Sequence, residues 1–234
     1  TSEAYARAGV AAGSRYVIAN GIDTDRFRPG TTEEITSTRA RLGIPAAAPV
    51  VVFAARFDAM KDPGLFLRAA AAHTMRRPGT HYVLCGAGMT WDNPAFAALA
   101  RESGVEPSSS VHALGIVDDM PSLYRVADVV ALTSAFGEAS PLCLVEGAAC
   151  GATPVTTDVG DAALRVAGIG VVTSHNAGEI AAAWDDVLDR RPGLRDAALA
   201  ARTSFGRDRM IADYRDVVED LVSARSNEDV ALAG

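Results

Sequence analysis

Short apolar runs recur along the chain, and each gives way to a stretch with helical spacing. The runs predicted as strands are Tyr16–Ala19, Val50–Ala54, Tyr82–Cys85, Val111–Leu114, Val129–Thr133, Thr153–Thr157 and Gly170–Thr173. Several are continuous and Val-rich rather than alternating, which predicts burial on both faces. Helices are expected over Pro63–Arg76, Pro94–Ser103, Met120–Val126, Pro141–Cys150 and Glu179–Arg190. Three of these open on proline, whose missing N–H is not needed at the first helical position. This rhythm predicts an α/β fold, a Rossmann-like parallel sheet with helices on both faces. Such sheets bind ligands beyond the carboxyl ends of their strands, so the residues just after each strand are where chemistry is sought.

The two ends depart from the rhythm. Residues 1–14 are small and Ala-rich and are expected to be a linker stub from something upstream; residues 15–191 form the sheet domain. Residues 192–225 carry two further helical stretches, Leu194–Thr203 and Arg209–Ala224. The second presents Met210, Ile211, Tyr214, Val217, Val218 and Leu221 at helical spacing. Such a stripe needs another surface to cover it, or drives self-association. Residues 226–234 are expected to be a disordered tail.

Composition narrows the ligand. The net charge is −7 over 234 residues and no Lys/Arg cluster forms a basic face, which argues against nucleic acid as a partner. An anionic ligand must then be held by a few local cations and helix ends. Aromatics are only 6%, so the core is expected to be built from small and branched aliphatics. Cys85, Cys143 and Cys150 have no metal-like spacing and are expected to be reduced, buried thiols of a cytosolic protein. No apolar run is long enough to span a bilayer.

Two loops carry candidate chemistry. Phe53–Pro63 leaves a strand and enters a helix, with Arg56 and Lys61 between them. Two cations at a strand's carboxyl end suit a diphosphate; two solvated loop cations is the competing reading. Thr133–Gly151 follows another strand, with Glu138 in the loop and Glu146 on the helix beyond Pro141. That helix start offers the N–H groups of Leu142 and Cys143 to a phosphate. Glu146 could accept from two neighbouring ribose hydroxyls. A surface glutamate is the alternative, but the small apolar neighbours Val145, Gly147 and Ala148 disfavour it.

The spacing of Glu138 and Glu146, with seven residues between them, together with the Arg56…Lys61 loop, resembles the donor domain of family 4 glycosyltransferases. These enzymes have the GT-B architecture of two facing α/β domains. Val17–Asp23 with Phe27-Arg28-Pro29, Gly86-Ala87-Gly88, Gly115, Asp128 and Thr156–Gly160 strengthen the likeness, which covers roughly residues 15–190 and is closest to bacterial exopolysaccharide and surface-glycan members. The resemblance implies that Arg56 and Lys61 contact the donor diphosphate and that Glu138 lies beside the transferred sugar. Glu146 would contact the ribose, and Gly86, Ser140 and the main chain at Leu142 and Cys143 would complete the donor site. Gly115, Ile116 and Val117 would lie beside a uracil or guanine. It further implies retaining hexosyl transfer from a UDP- or GDP-sugar to a glycan or lipid-linked glycan, with no metal and no cofactor. An N-terminal half about as long as this chain would supply the acceptor site, be crossed by the C-terminal helices, and be needed for activity. The expected location is cytoplasmic, or peripheral at the inner membrane face through that half. Two departures from the family pattern bear on the sugar pocket and its neighbour. Ala139-Ser140 replaces an aromatic or Gly-rich loop, and Asp161 stands where many members carry a second glycine.

Two other function classes remain. One is a nucleotide-binding module without catalysis. The other is a nicotinamide-type oxidoreductase domain, disfavoured because Trp91 stands where Gly86-Ala87-Gly88 would need its third glycine. Asp23-Thr24-Asp25 reads as a turn, Asp118-Asp119 as a helix cap, and His73, His81, His112 and His175 as structural or solvated, none with metal-ligand spacing.

Overall fold

The computed structural model describes residues 6–9 and 16–232, with side chains as far as Ser223. Most of the stub expected over residues 1–14 lies outside the described residues. Six strands form one parallel sheet: β1 (Val50–Ala54), β2 (His81–Cys85), β3 (Val111–Ala113), β4 (Val129–Leu132), β5 (Thr153–Thr157) and β6 (Val171–Thr173). Their order across the sheet is β3-β2-β1-β4-β5-β6. The order in which successive strands are added therefore reverses between β1 and β4, which opens a crevice at their carboxyl ends.

Nine helices accompany the sheet among the described elements: α1 (Thr32–Leu42), α2 (Pro63–Arg76), α3 (Pro94–Glu102), α4 (Met120–Val126), α5 (Leu142–Cys150), α6 (Ala162–Val166), α7 (Ala177–Asp189), α8 (Arg191–Ala200) and α9 (Arg207–Leu232). The alternating side chains of β1 divide the core. Val50 and Val52 join Leu123, Tyr124, Leu144 and Ala148 on one face; Val51 and Phe53 join Phe66, Phe96 and Trp184 on the other. The branched aliphatics expected from the composition fill the strands, while the few large rings concentrate under α2 and α7.

The structure departs from the pattern-based expectation in several places. Tyr16–Ala19 is not a strand. Tyr16 and Val17 are exposed, and the entering chain is tied further on: Ile22 N–H donates to Phe205 O at 2.7 Å and Arg207 N–H to Ile22 O at 2.9 Å. A four-residue apolar run without a neighbouring strand has no ladder to join. Helix α1 was not expected, although its start is written as a capping box, Thr31 with Glu34, and its end as a left-handed Gly43. Pro141 stands at the N-cap of α5, one position before the helix proper.

At the C-terminus, α8 and the 3-10 turn Arg202–Phe205 pack into the sheet domain through Ala198 and Phe205, and only α9 leaves it. Helix α9 continues to Leu232, where a tail was expected from Ser226; Arg207–Leu232 contains no proline or glycine to stop it. Part of its stripe is uncovered among the described residues, with Ile211, Tyr214, Val218 and Leu221 each about half exposed, whereas Met210 and Val217 are partly buried and Met210 Sδ accepts from Gly21 N–H at 3.2 Å.

Candidate functional site

The crevice between β1 and β4 gathers both candidate loops. The β1 loop is fixed at each end. Ala55 N–H donates to Cys85 O at 2.9 Å and Phe57 N–H to Ala87 O at 2.8 Å. At the far end Thr133 Oγ1, just after β4, donates to Asp62 O at 2.9 Å. Asp62 caps α2 by accepting from Leu65 N–H at 2.9 Å, and does so with φ at 42°, the one left-handed residue other than glycine among the described residues. That cost at a loop end is the kind that persists where the surroundings hold the backbone firmly.

Glycine is required where the loops meet the β2 and β5 turns. A Cβ on Gly86 would lie 2.0 Å from Ala55 O, so only glycine lets the β2 turn run against the β1 loop. A Cβ on Gly160 would lie 1.7 Å from Glu138 O, so the β5 turn seats the Glu138 loop in the same way. Asp161, with φ at −96°, adopts an ordinary conformation, and its N–H donates to Glu138 O at 3.2 Å. The family's second glycine is not needed there for backbone reasons.

A cavity of about 320 Å³ opens at this crevice, lined by Arg56, Gly86, Ile116, Val117, Cys143 and Glu146 among others. Arg56 and Ile116 are exposed at its rim. Glu146 is partly buried, and Tyr124 Oη donates to its Oε2 at 3.2 Å. Burial holds the Glu146 carboxyl above its ordinary range, against the lowering influence of Tyr124 and Arg26. Burial likewise raises the Cys143 thiol to about 12, so it stays protonated. The first amides of α5 receive no side-chain cap, which leaves Leu142 and Cys143 N–H free of the bonds that close most helix starts.

Lys61, Glu138, Ser140, Leu142 and Gly115 do not line the cavity wall. Lys61 pairs with Glu138, whose carboxylate also accepts from Ser134 Oγ, and both acidic and basic partners are largely enclosed. Thr157 Oγ1 in turn donates to Ser134 O at 2.7 Å. This pair and Glu146 both act electrostatically on Cys143, so the charged groups of the two loops converge on the start of α5. Ser140 Oγ is enclosed without a partner among the described residues. Gly115 O accepts from Gly86 N–H at 2.7 Å and so stands behind the cavity rather than in it. The sequence does not single out Tyr124 or Ser134: a tyrosine in a seven-residue apolar helix and a serine after a strand carry no motif of their own.

The remaining candidates resolve as structure. Asp23 Oδ1 accepts from Asp25 and Arg26 N–H, closing the turn expected of Asp23-Thr24-Asp25. Asp119 caps α4. His73 is buried against Tyr82 and Asp185, His81 stacks on His112, and His175 meets Asp62 at 3.0 Å. Trp91 packs edge-on against Phe96. Among the described residues no group of three or more His, Cys, Asp or Glu could hold a metal ion, and no helix is long and apolar enough to cross a membrane.

A doubly wound parallel sheet with Arg56, Glu146 and the uncapped start of α5 at its switch point defines a Rossmann-like α/β domain. Residues 48–190, more than half of the chain, match the family of glycosyl transferases group 1, and the chain belongs to that family. It is 31% identical over 218 residues to a D-inositol 3-phosphate glycosyltransferase of Corynebacterium aurimucosum, covering 88% of this chain and 51% of the relative. A protein of the same name from Salinispora arenicola is 32% identical over 238 residues, covering 93% and 52%. The chain thus spans about half the length of these curated relatives. Among solved structures, Anabaena HepE in complex with UDP superposes with a TM-score of 0.81 at 24% identity, covering 94% of this chain and 61% of that one. The C-terminal domain of the group 1 glycosyl transferase LpcC from Francisella tularensis superposes with a TM-score of 0.64 at 19% identity, covering 80% of this chain and all of that domain.

Proposed function

We propose that this chain is the donor half of a retaining, family 4-type glycosyltransferase that binds a UDP- or GDP-sugar at the β1/β4 crevice and transfers its hexosyl group to a glycan or lipid-linked glycan. The observation that carries the reading is the convergence of Arg56, Glu146 and the uncapped start of α5 on one cavity, with the Lys61–Glu138 pair beside them. The base would lie against Ile116 and Val117, the ribose on Glu146, and the diphosphate between Arg56, Lys61 and the Leu142 and Cys143 amides. Ser140 would turn its enclosed hydroxyl to the donor, and Glu138 would face the sugar.

As the bond from the anomeric carbon to the diphosphate breaks, both electrons leave with the phosphate oxygen, while an acceptor hydroxyl oxygen bonds to that carbon and its proton passes to the departing diphosphate. Fixed cations and amides aimed at that oxygen stabilise the charge without a metal. A preceding N-terminal half would supply the acceptor; the curated relatives are about twice the length of this chain.

Calorimetry with UDP, GDP and NAD tests the reading. Binding of UDP or GDP in the micromolar to millimolar range, weakened about ten-fold or more in Glu146→Ala, is expected. Preference for NAD, or nucleotide binding indifferent to Glu146→Ala, would overturn it. Transfer activity of a protein carrying both halves, lost in Glu138→Ala, would separate a transferase from a module that only holds nucleotide.

A further inference from the structure

Glu146 stands on α5, but its carboxylate is not positioned by α5 alone. Tyr124, from α4, is 1% exposed and lines the same cavity, and its hydroxyl donates to Glu146 Oε2 at 3.2 Å. No protein group donates to Oε1 among the described residues. A glutamate on the rim of a cavity has three rotatable bonds, and a single buried donor on one oxygen fixes where the other points. Tyr124 is itself enclosed: its ring lies 6.1 Å between centroids from that of Phe27, within the core formed by α4, α5 and β1.

We propose that Tyr124 is the positioning residue of the nucleotide site, holding one oxygen of Glu146 so that the carboxylate meets the ribose hydroxyls of a bound nucleoside diphosphate in fixed geometry. The inference rests on the nucleotide-binding reading above and adds to it the group that sets ribose recognition. It also has a pH consequence. Burial favours the neutral form of Glu146, and a neutral carboxyl has lost one acceptor for the ribose. The groups facing it are Tyr124 from α4, Arg26 from the segment before α1, and Cys143 and Cys150 from α5 itself, and Arg56 lines the same cavity. Tyr124 and Arg26 act to keep the carboxylate charged. The Tyr124 hydroxyl, held well above its ordinary pKa by burial and its acidic neighbours, remains a donor throughout.

The experiment compares UDP with 2′-deoxy-UDP, or the guanine pair where the wild-type chain prefers it, against wild type and Tyr124→Phe of the 234-residue chain. The phenyl ring keeps the packing and removes only the donor. Wild type is expected to prefer the ribonucleotide, and Tyr124→Phe to lose roughly five-fold of that preference. The acid limb of UDP binding should also move to higher pH in the variant. Should Tyr124→Phe show no cooperative melt, 3-fluorotyrosine at position 124, a stronger donor of nearly the same shape, serves instead; it should move the acid limb to lower pH. An unchanged ribose preference and an unmoved acid limb would overturn the role of Tyr124 while leaving nucleotide binding intact. Failure of wild type to bind either diphosphate would instead defeat the reading on which it rests.

Discussion

At the scale of the residue, the site depends on positions whose backbone conformation is as specific as their side chains. Asp62 is the clearest case, because it does two things that no other described residue combines. Its carboxylate caps α2, and its left-handed φ of 42° turns the chain so that Lys61 faces back across the crevice to Glu138. Replacing it with alanine removes the cap and puts in the left-handed region a residue without the local side-chain hydrogen bonding by which aspartate tolerates it, together about 2 kcal/mol. Glycine also removes the cap but adopts the conformation freely, so Asp62→Gly is expected to lose only about 1 kcal/mol. Denaturant unfolding of the two variants reads this ordering directly. Alanine proving the milder change would mean that the left-handed turn carries no strain.

At the scale of the element, the Lys61–Glu138 pair makes the β1 and β4 loops a single unit. In the unliganded chain each neutralises the other in a largely enclosed position, so a diphosphate reaching Lys61 competes with a carboxylate already there. Glu138→Gln removes that competitor, and UDP affinity is expected to rise about five-fold, worth roughly 1 kcal/mol. Lys61→Ala should weaken UDP by about ten-fold or more. A titration in which Glu138→Gln binds UDP no better than wild type would show that Lys61 is not shared between the two. How much of this was legible beforehand follows from the same loops. Six of the seven predicted runs are strands of the parallel sheet, and those of β1, β2 and β4 are legible because a doubly buried strand leaves a continuous apolar signature; of the motif residues, Arg56, Cys143 and Glu146 meet at one cavity. The pairing of Lys61 with Glu138 was not legible, since a spacing of 77 residues says nothing of which cation meets which acid. Nor was Tyr124, whose importance lies only in what its hydroxyl touches. Helix α1 was missed although its capping box is plain in the sequence, because its exposed, charged body lacks an apolar stripe.

At the scale of the whole molecule, the buried imidazoles set how stability responds to acid. His73 lies at 0% exposure between α2 and α7, bonded to Tyr82 Oη at 2.8 Å, with Asp185 3.3 Å from its Nε2. Asp185 favours the charged form, but burial outweighs it, aided by Arg76 and Arg77, and the pKa falls below 6.5. His81 and His112 stack 5.2 Å apart, and both are likewise lowered, chiefly by burial. A folded imidazole with a depressed pKa takes up its proton at lower pH than the unfolded chain does. From 6.5 downward, therefore, the unfolded state holds more protons, and stability is lost as pH falls toward the folded value. Asp128 and Glu146 act in the opposite sense, because burial raises them above 3.8 and 4.5, and the stability they contribute is lost as pH rises through their folded values. The wild-type slope alone would mix these effects, whereas a variant isolates one imidazole. His73→Gln keeps a polar side chain beside Tyr82 and Asp185 but cannot be protonated. It is expected to destabilise the chain at pH 7.5, where His73 is neutral in both states, yet to lose less on going to pH 5.5 than wild type does. Unfolding midpoints measured at both values decide the matter: a difference between variant and wild type that is the same at the two would mean that His73 takes up its proton as readily in the folded core as in the open chain.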